Sequence, residues 1–159
     1  MLFQTLFYGG MLALGSHGSP NEKLYMEVAA EVTKTCHHMY TEMATGIAPE
    51  SVTFQNGVMH ACARYNIQRP EVIEAIFYMY RKTWAPVYRE WAWEMFNSMV
   101  KQYKTPTGWV GLKDVHRKPP QKDDTMVMLS TSNVNDGPSS FFWNENTLLH
   151  QASTDEMTK

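Results

Sequence analysis

Apolar residues recur at spacings of three and four over several stretches of the chain, which predicts amphipathic helices. The first long stripe consists of Tyr25, Val28, Ala29, Val32, Cys36, Met39, Tyr40 and Met43. Just before it, Ser19-Pro20-Asn21-Glu22 fits a capping box, with Ser19 as the N-cap. Gly46 is a suitable end, so the pattern predicts one long helix that runs up to this glycine.

Two further helices begin at prolines, which are favoured at the first helical position. One runs from Pro70 to about Thr83 with Ile73, Phe77 and Tyr80 on one face. The other starts at Pro86 and ends at Thr105-Pro106. Its stripe is Tyr88, Trp91, Ala92, Met95, Phe96, Met99, Val100 and Tyr103.

The segments between these helices have different signatures. Residues 47–57 predict a loop or a short irregular strand pair, because Pro49 and the turn signal Asn56-Gly57 interrupt the helical period. Residues 107–115 predict a short hairpin or structured loop, and residues 116–124 a polar loop. The chain is therefore expected to be all-α, built from antiparallel helix pairs with short hairpin or loop insertions.

Both ends of the chain depart from this pattern. The apolar residues 1–14 are too few to span a bilayer as a helix. A signal peptide would require a basic segment before its apolar residues, but no Lys or Arg precedes Lys23. We interpret them as a buried helix, and the abrupt start suggests a piece of a longer protein. Residues 127–159 lack periodicity and predict a poorly ordered tail after a domain that covers residues 1–126.

Composition changes this picture little. A net charge of -2 without any basic run argues against a nucleic-acid partner. An aromatic content of 13% predicts a large interior or a ring-stacking surface. No metal-ligand pattern stands out, because the candidates lack a four-ligand or calcium-loop spacing. They are His37-His38, His60, Cys62, Asp114 and Asp123-Asp124. Cys36 and Cys62 fit either a disulfide or two buried free thiols.

The acidic residues around "QRPEVIE" are the best candidates for chemistry. Glu71 lies in the first helical turn, where the helix dipole favours an ionised carboxylate that can accept a proton from water. Glu74 follows one turn later, and Arg69 can orient either carboxylate. Glu50 lies in an irregular loop. First-turn glutamates are also common as plain helix-start residues, so spacing alone does not decide.

Several segments, in order, resemble class I α-1,2-mannosidases of glycoside hydrolase family 47. They are "GGMLALG" (9–15), "TCHHMYTEMATGIAPESVTF" (35–54), "QRPEVIEAIFYMYRKT" (68–83), "YREWAWEMF" (88–96), "TGWVGLKDV" (107–115) and "PPQKDDTM" (119–126). These motifs are most similar to those of the Golgi-type branch. The resemblance implies the carboxy-terminal part of an (α/α)7 barrel, hence an incomplete barrel. It also implies calcium-dependent, inverting hydrolysis of terminal α-1,2-mannose on high-mannose N-glycans, in the Golgi or endoplasmic reticulum.

The resemblance also assigns roles. It places Glu71 at the catalytic base, Glu50 at another active-site acid, and Arg69 and Glu74 at the residues lining the mannose subsite and the calcium–water cluster. A faint echo of a family motif in "SFFWNE" would make Phe141 a stacking residue and Glu145 a sugar-binding one.

Departures from the family pattern limit what we expect of this chain. The family's general acid lies before Met1, and the "TEAHP" threonine that supplies calcium oxygens is missing, so no metal residue is assigned here. Phe3 replaces a substrate-contacting His. Leu6 replaces the cysteine that would pair with Cys36. Two hypotheses follow: a mannosidase fragment that is inactive alone, or a non-catalytic helical protein that binds glycans or a partner. Exposed helix faces would favour self-association.

Overall fold

The computed structural model of the chain describes residues 6–106 and 108–123, which form helices and short two-stranded sheets. The helices are α1 (Tyr8–Gly15), α2 (Glu22–Thr41), α3 (Glu71–Thr83) and α4 (Pro86–Tyr103). The strands are β1 (Ser51–Gln55), β2 (Val58–Ala63), β3 (Lys104–Thr105), β4 (Gly108–Trp109), β5 (Gly111–Asp114) and β6 (Gln121–Asp123). They pair antiparallel as β1–β2, β3–β4 and β5–β6. Within these ranges the helices form no closed barrel.

Helix α1 packs against α2 and α3 through two glycines. A Cβ on Gly9 would collide with the Thr33 hydroxyl, and one on Gly10 would lie 3.0 Å from the Ala75 Cα. The side chains on the opposite side, Tyr8, Met11 and Leu14, are 51%, 44% and 44% exposed. The prediction of a buried helix is therefore right for one side of α1 only. No helix in the described ranges has the length and apolarity to cross a membrane.

Helix α2 is shorter than predicted at both ends. It begins at Glu22, because the Ser19 hydroxyl accepts the Asn21 amide (3.2 Å) and the Glu22 carboxylate accepts the Gly18 amide (3.2 Å). These contacts form a local turn in place of the predicted capping box. The helix ends at Thr41, and a turn leads to Gly46 at φ +72°. Gly46 packs so closely on α4 that a Cβ would lie 2.5 Å from the Ser98 Oγ.

Helix α3 buries a different face from the predicted one. Its buried residues are Val72, Ala75, Ile76 and Met79. The predicted face (Ile73, Phe77 and Tyr80) is half-buried. The difference arises because Ala75 is small enough to let α1 approach through Gly10. The helix contacts α1, α2 and α4, and both α3 and α4 begin beside the prolines that predicted them.

The segment after α2 forms a β-hairpin with a two-residue turn. Asn56 and Gly57 adopt φ +52° and +79°, which matches a turn that follows the right-handed strand twist. The Asn-Gly signal is confirmed, and the strand pair extends to Ala63, beyond the predicted segment. Residues 121–123 also form a strand, so the predicted polar loop at 116–124 is wrong for these three residues.

An apolar cluster forms where the chain returns after α4. Its buried members are Met43, Ile47, Tyr103, Leu112 and Val115, with Met59, Met99 and Trp109 packed against them. Thr45, which lies between Met43 and Ile47, connects this segment to Val115, because the Thr45 hydroxyl donates to the Val115 carbonyl (2.8 Å). Ile47 of this cluster lies three residues before Glu50, so the cluster anchors the start of the loop that carries Glu50.

Candidate active site

The loop that carries Glu50 is buried and follows an extended path into β1. Ile47 and Ala48 have no exposed surface, and Glu50 is 7% exposed. The Glu50 amide donates to the Tyr65 carbonyl (2.9 Å), which continues the β1–β2 pairing beyond the named strands. The hairpin therefore returns the chain to Glu50 just before the segment that leads into α3.

Arg69 and Glu71 flank the start of α3. Gln68 has φ +63°, a left-handed conformation that turns the chain, and Pro70 then occupies the N-cap position. Since no side chain caps this helix end, its first N–H groups and its positive dipole end lie beside Glu71. Local backbone geometry thus directs Arg69 and Glu71 to the same end of the helix.

A single guanidinium joins the two carboxylates. Arg69 Nε donates to Glu50 Oε1 at 2.7 Å, and Arg69 Nη1 lies 3.8 Å from Glu71 Oε1, an ion pair rather than a hydrogen bond. The side chains are 10% (Glu50), 25% (Arg69) and 25% (Glu71) exposed. The second oxygen of each carboxylate is buried and has no hydrogen-bond donor in the described residues. The site therefore offers two acceptor oxygens beside one fixed positive charge.

Glu74 lies one turn further along α3 and has a different partner. The Tyr78 hydroxyl donates to Glu74 Oε1 at 3.2 Å. Desolvation, together with this hydrogen bond and the Glu74 charge, raises the pKa of Tyr78. The structure thus brings Glu50, Arg69 and Glu71 together, and places Glu74 next to them without an ion pair to Arg69 in the described region.

Tyr40 is a neighbour of the site that the sequence analysis placed only in an apolar stripe. Its side chain is 1% exposed, and burial raises the pKa of Tyr40 well above its usual value. Tyr103, Cys36 and the charges of Glu71 and Glu50 raise it further. Tyr40 is thus a phenol that stays neutral within electrostatic reach of both carboxylates. Its place one turn after Cys36 on the buried side of α2 was the only signal in the sequence.

Cys36 and Leu6 occupy adjoining buried positions. The Cys36 Sγ lies 3.8 Å from the Leu6 carbonyl oxygen, and burial raises the pKa of Cys36 to about 12. Both Cys36 and Cys62 are free thiols, the former buried and the latter exposed. The two alternatives left open for these cysteines are resolved in favour of free thiols, although only Cys36 is buried.

His37 is held between helices. Its ring stacks on Trp91, with centroids 4.4 Å apart and planes 9° from parallel, and its Nε2 lies 3.0 Å from Glu94 Oε2. Burial lowers the pKa of His37 and outweighs the opposing effect of Glu94. Its neighbour His38 points to solvent and pairs with Glu42.

The sequence resemblance implies that a calcium ion is bound in the complete active site. Calcium takes six to eight oxygen ligands, mostly from several carboxylates and carbonyls. Throughout residues 6–106 and 108–123, no group of three or more His, Cys, Asp or Glu side chains is arranged to hold a metal ion. The described residues therefore contain no carboxylate cluster that would hold calcium. Phe3, Phe141 and Glu145 lie outside the described residues.

Comparison with known proteins gives a consistent result. The family model for glycosyl hydrolase family 47 matches residues 3–132. Mannosyl-oligosaccharide 1,2-alpha-mannosidase IC of Homo sapiens is 40% identical over 124 residues, which are 74% of this chain and 20% of that protein. Mannosyl-oligosaccharide 1,2-alpha-mannosidase IB of Mus musculus is 41% identical over 124 residues, 74% of this chain and 19% of that protein.

A solved structure supports the fold. The structure of alpha-1,2-mannosidase from Trichoderma reesei matches with a TM-score of 0.70 at 23% identity, over 75% of this chain and 28% of that one. The chain spans about a fifth of the length of the curated relatives named above.

Proposed function

Because the chain belongs to glycosyl hydrolase family 47, we propose that it carries part of the active site of a mannosyl-oligosaccharide 1,2-alpha-mannosidase. The proposed substrate is terminal α-1,2-linked mannose on high-mannose N-glycans. The observation that carries the proposal is the arrangement of Glu50 and Glu71 about Arg69, with one buried oxygen of each carboxylate free of a donor in the described residues. Sugar hydroxyls and water are donors that suit such oxygens.

Inverting hydrolysis needs a carboxylate that activates water on one face of the sugar and an acid on the other. Glu71 suits the first role, because the uncapped start of α3 stabilises negative charge there. In the proposed step, Glu71 takes a proton from water, the water oxygen attacks the anomeric carbon, and the glycosidic C–O bond breaks. The leaving oxygen receives its proton from an acid other than Glu50, Arg69 and Glu71. Glu50 and Arg69 orient the sugar beside Glu71.

We further propose that residues 1–126 form part of an incomplete (α/α)7 barrel and that a divergent tail follows from residue 127. The proposed compartment is the Golgi or endoplasmic reticulum. One relative, 37% identical over 111 residues (64% of this chain, 16% of that protein), is named endoplasmic reticulum mannosyl-oligosaccharide 1,2-alpha-mannosidase of Homo sapiens. Calcium dependence is proposed for the complete active site because the family resemblance implies it, and the described residues contain no carboxylate cluster for the ion.

A second candidate function is binding without hydrolysis. The exposed apolar side chains of α1 (Tyr8, Met11 and Leu14) favour it, because such a surface is typical of an interaction site. This candidate covers a glycan-binding or partner-binding protein, including one that self-associates through α1. We expect the chain on its own to bind mannose-terminated glycans without cleaving the glycosidic bond, since Glu50 and Glu71 do not supply the leaving-group proton.

The test uses α-1,2-linked mannobiose and the full chain. We expect mannobiose to shift the NMR signal of the Arg69 Nε–H group, and we expect Glu50→Gln and Glu71→Gln each to weaken binding. The matched control is Glu42→Gln, because Glu42 is an exposed glutamate that pairs only with His38 among the described residues. Absence of binding, or binding that ignores both site variants, would refute the proposed site.

Mannose release from a labelled high-mannose N-glycan is measured in the same samples, with calcium and with a chelator. No release is expected from this chain. Calcium-dependent release that Glu71→Gln abolishes would support the hydrolase function and contradict the inactivity of the isolated chain. Binding without release, together with loss of binding in both site variants, is the expected combination.

A further inference from the structure

Asn66 uses its side-chain amide to join two segments of the candidate site. It is 1% exposed. Its Nδ2 donates to the Ala48 carbonyl at 2.8 Å, and its Oδ1 accepts the Gln68 amide at 2.8 Å. Ala48 lies two residues before Glu50, and Gln68 directly precedes Arg69. One side chain therefore links the loop that presents Glu50 to the turn that presents Arg69.

The backbone of Asn66 is fixed independently. Its N–H donates to the Leu112 carbonyl at 2.8 Å, and its carbonyl accepts the Leu112 amide at 2.9 Å. The contact is so close that a Cβ on Gly111 would lie 2.7 Å from the Asn66 carbonyl oxygen. The Tyr103 hydroxyl donates to the same Oδ1 that accepts the Gln68 amide. Asn66 thus cannot move without moving β5 or the end of α4.

The turn after Asn66 has a conformation that needs support. Gln68 has φ +63°, and a non-glycine residue in the left-handed region is strained because its Cβ lies too close to the following carbonyl oxygen. The hydrogen bond from the Gln68 amide to Asn66 Oδ1 is an Asx-turn, which stabilises a bend of this kind. The bend sets the direction in which the next residue, Arg69, leaves the backbone.

We propose that Asn66 is a positioning residue that sets the geometry of the Glu50–Arg69–Glu71 group. It touches none of the three side chains in the described contacts, and acts by fixing both segments that carry Glu50 and Arg69. The importance of this geometry for a sugar rests on the proposed function, whereas its dependence on Asn66 does not.

The test compares Asn66→Ala with Tyr103→Phe in the full chain. Both variants remove hydrogen bonds at the same buried Oδ1, but only Asn66→Ala releases the Ala48 and Gln68 segments. The readout is the NMR signal of the Arg69 Nε–H, which the charge-assisted bond to Glu50 shifts and protects from exchange. Arg69→Lys identifies that signal. Mannobiose affinity and the unfolding midpoint are measured on the same samples.

We expect Asn66→Ala to move the Arg69 signal toward that of solvated arginines and to lower mannobiose affinity by about 10-fold or more, because misplaced groups lose contacts steeply. Tyr103→Phe is expected to lower the unfolding midpoint and leave the Arg69 signal in place. Equal changes of the signal in both variants, or an unchanged signal in folded Asn66→Ala, would overturn the proposal.

A second variant covers the case in which Asn66→Ala does not fold. Asn66→Ser keeps a neutral hydroxyl that can accept the Gln68 amide as an ST-turn and loses the donor to Ala48 without adding a buried charge. The Arg69 signal should still move, and a fixed signal would count against the proposal. The proposed function fails separately: if the wild-type chain binds no mannobiose but the signal still depends on Asn66, the positioning role stands and the mannosidase assignment of the site does not.

Discussion

Removal of the Arg69 guanidinium is the sharpest test of the site's energetics. In Arg69→Met, Glu50 keeps a carboxylate that is 10% exposed, with no charged donor left on Oε1 and none in the described residues on Oε2. Breaking a buried ion pair by removing one partner costs about 3–5 kcal/mol. Since Arg69 itself is 25% exposed, water can partly replace it, and we expect a loss of about 2–3 kcal/mol.

The assay is urea unfolding at pH 7, followed by circular dichroism at 222 nm. With a slope of about 1.5–2 kcal/mol per molar urea, the midpoint should fall by about 1–2 M. The double variant Glu50→Gln/Arg69→Met removes both charges and should recover a large part of the loss, because the neutral amide is less costly to bury. A matched control is Arg81→Met on the same helix. Arg81 lies 5.1 Å from the centre of the Trp84 ring, and its loss should cost about 1 kcal/mol or less.

Two outcomes would refute this reasoning. If Arg69→Met lowers stability by less than 1 kcal/mol, the carboxylates are solvated well enough that Arg69 does not hold them. If the double variant is no more stable than Arg69→Met, the loss comes from the packing of the arginine stem rather than from an unpaired Glu50 charge. Either result would also weaken the case that Arg69 orients a ligand between Glu50 and Glu71.

Two other predictions concern the elements around the site. Gly46→Ala should lower the free energy of unfolding by about 2–4 kcal/mol, because the backbone is left-handed there and the new Cβ would overlap Ser98 of α4. Gly57→Ala, at an equally left-handed glycine that is open to solvent, should lower it by about 1–2 kcal/mol. Equal losses in urea unfolding would contradict the packing argument. Because burial lowers the pKa of folded His37 below 6.5, the unfolded chain binds the proton more readily, so stability should fall as pH drops from 7.5 to 5.5. His37→Gln should reduce that fall while the exposed His38→Gln should not, and an unchanged pH slope in His37→Gln would show that other groups cause it.

The elements that sequence predicted best are those with local causes. Pro70 and Pro86 marked the starts of two helices, since proline suits a helix start and disrupts a helix interior. Asn56-Gly57 marked a hairpin because both residues tolerate positive φ. The family resemblance is confirmed by the match over residues 3–132. Each of these signals depends on a few adjacent residues or on a string of motifs.

The contacts that sequence did not predict join distant segments. Asn66 and the Tyr103 hydroxyl are 37 residues apart, and Thr45 bonds to the Val115 carbonyl across 70 residues. A lone asparagine between Tyr65 and Ile67 has no periodic signature, so the burial and the partners of Asn66 emerge only when α4 and β5 pack. The prediction of which face of α3 is buried was wrong for a related reason. The small Ala75 that decides it matters only because Gly10 of another helix approaches there.

The meeting of Glu50 with Arg69 follows from the hairpin more than from either residue. The Asn56-Gly57 turn pairs Gln55 with Val58, and the ladder continues to Ser51 opposite Ala63 with an irregularity between Ser51 and Val52. One step further, the Glu50 amide reaches the Tyr65 carbonyl, only four residues before Arg69. A two-residue turn fixes register, and a slip of one residue would reverse which side each side chain faces. The Asn56-Gly57 turn signal therefore already implies that Glu50 lies near Arg69, although the extension of the strand pairing to Glu50 is seen only in the structure.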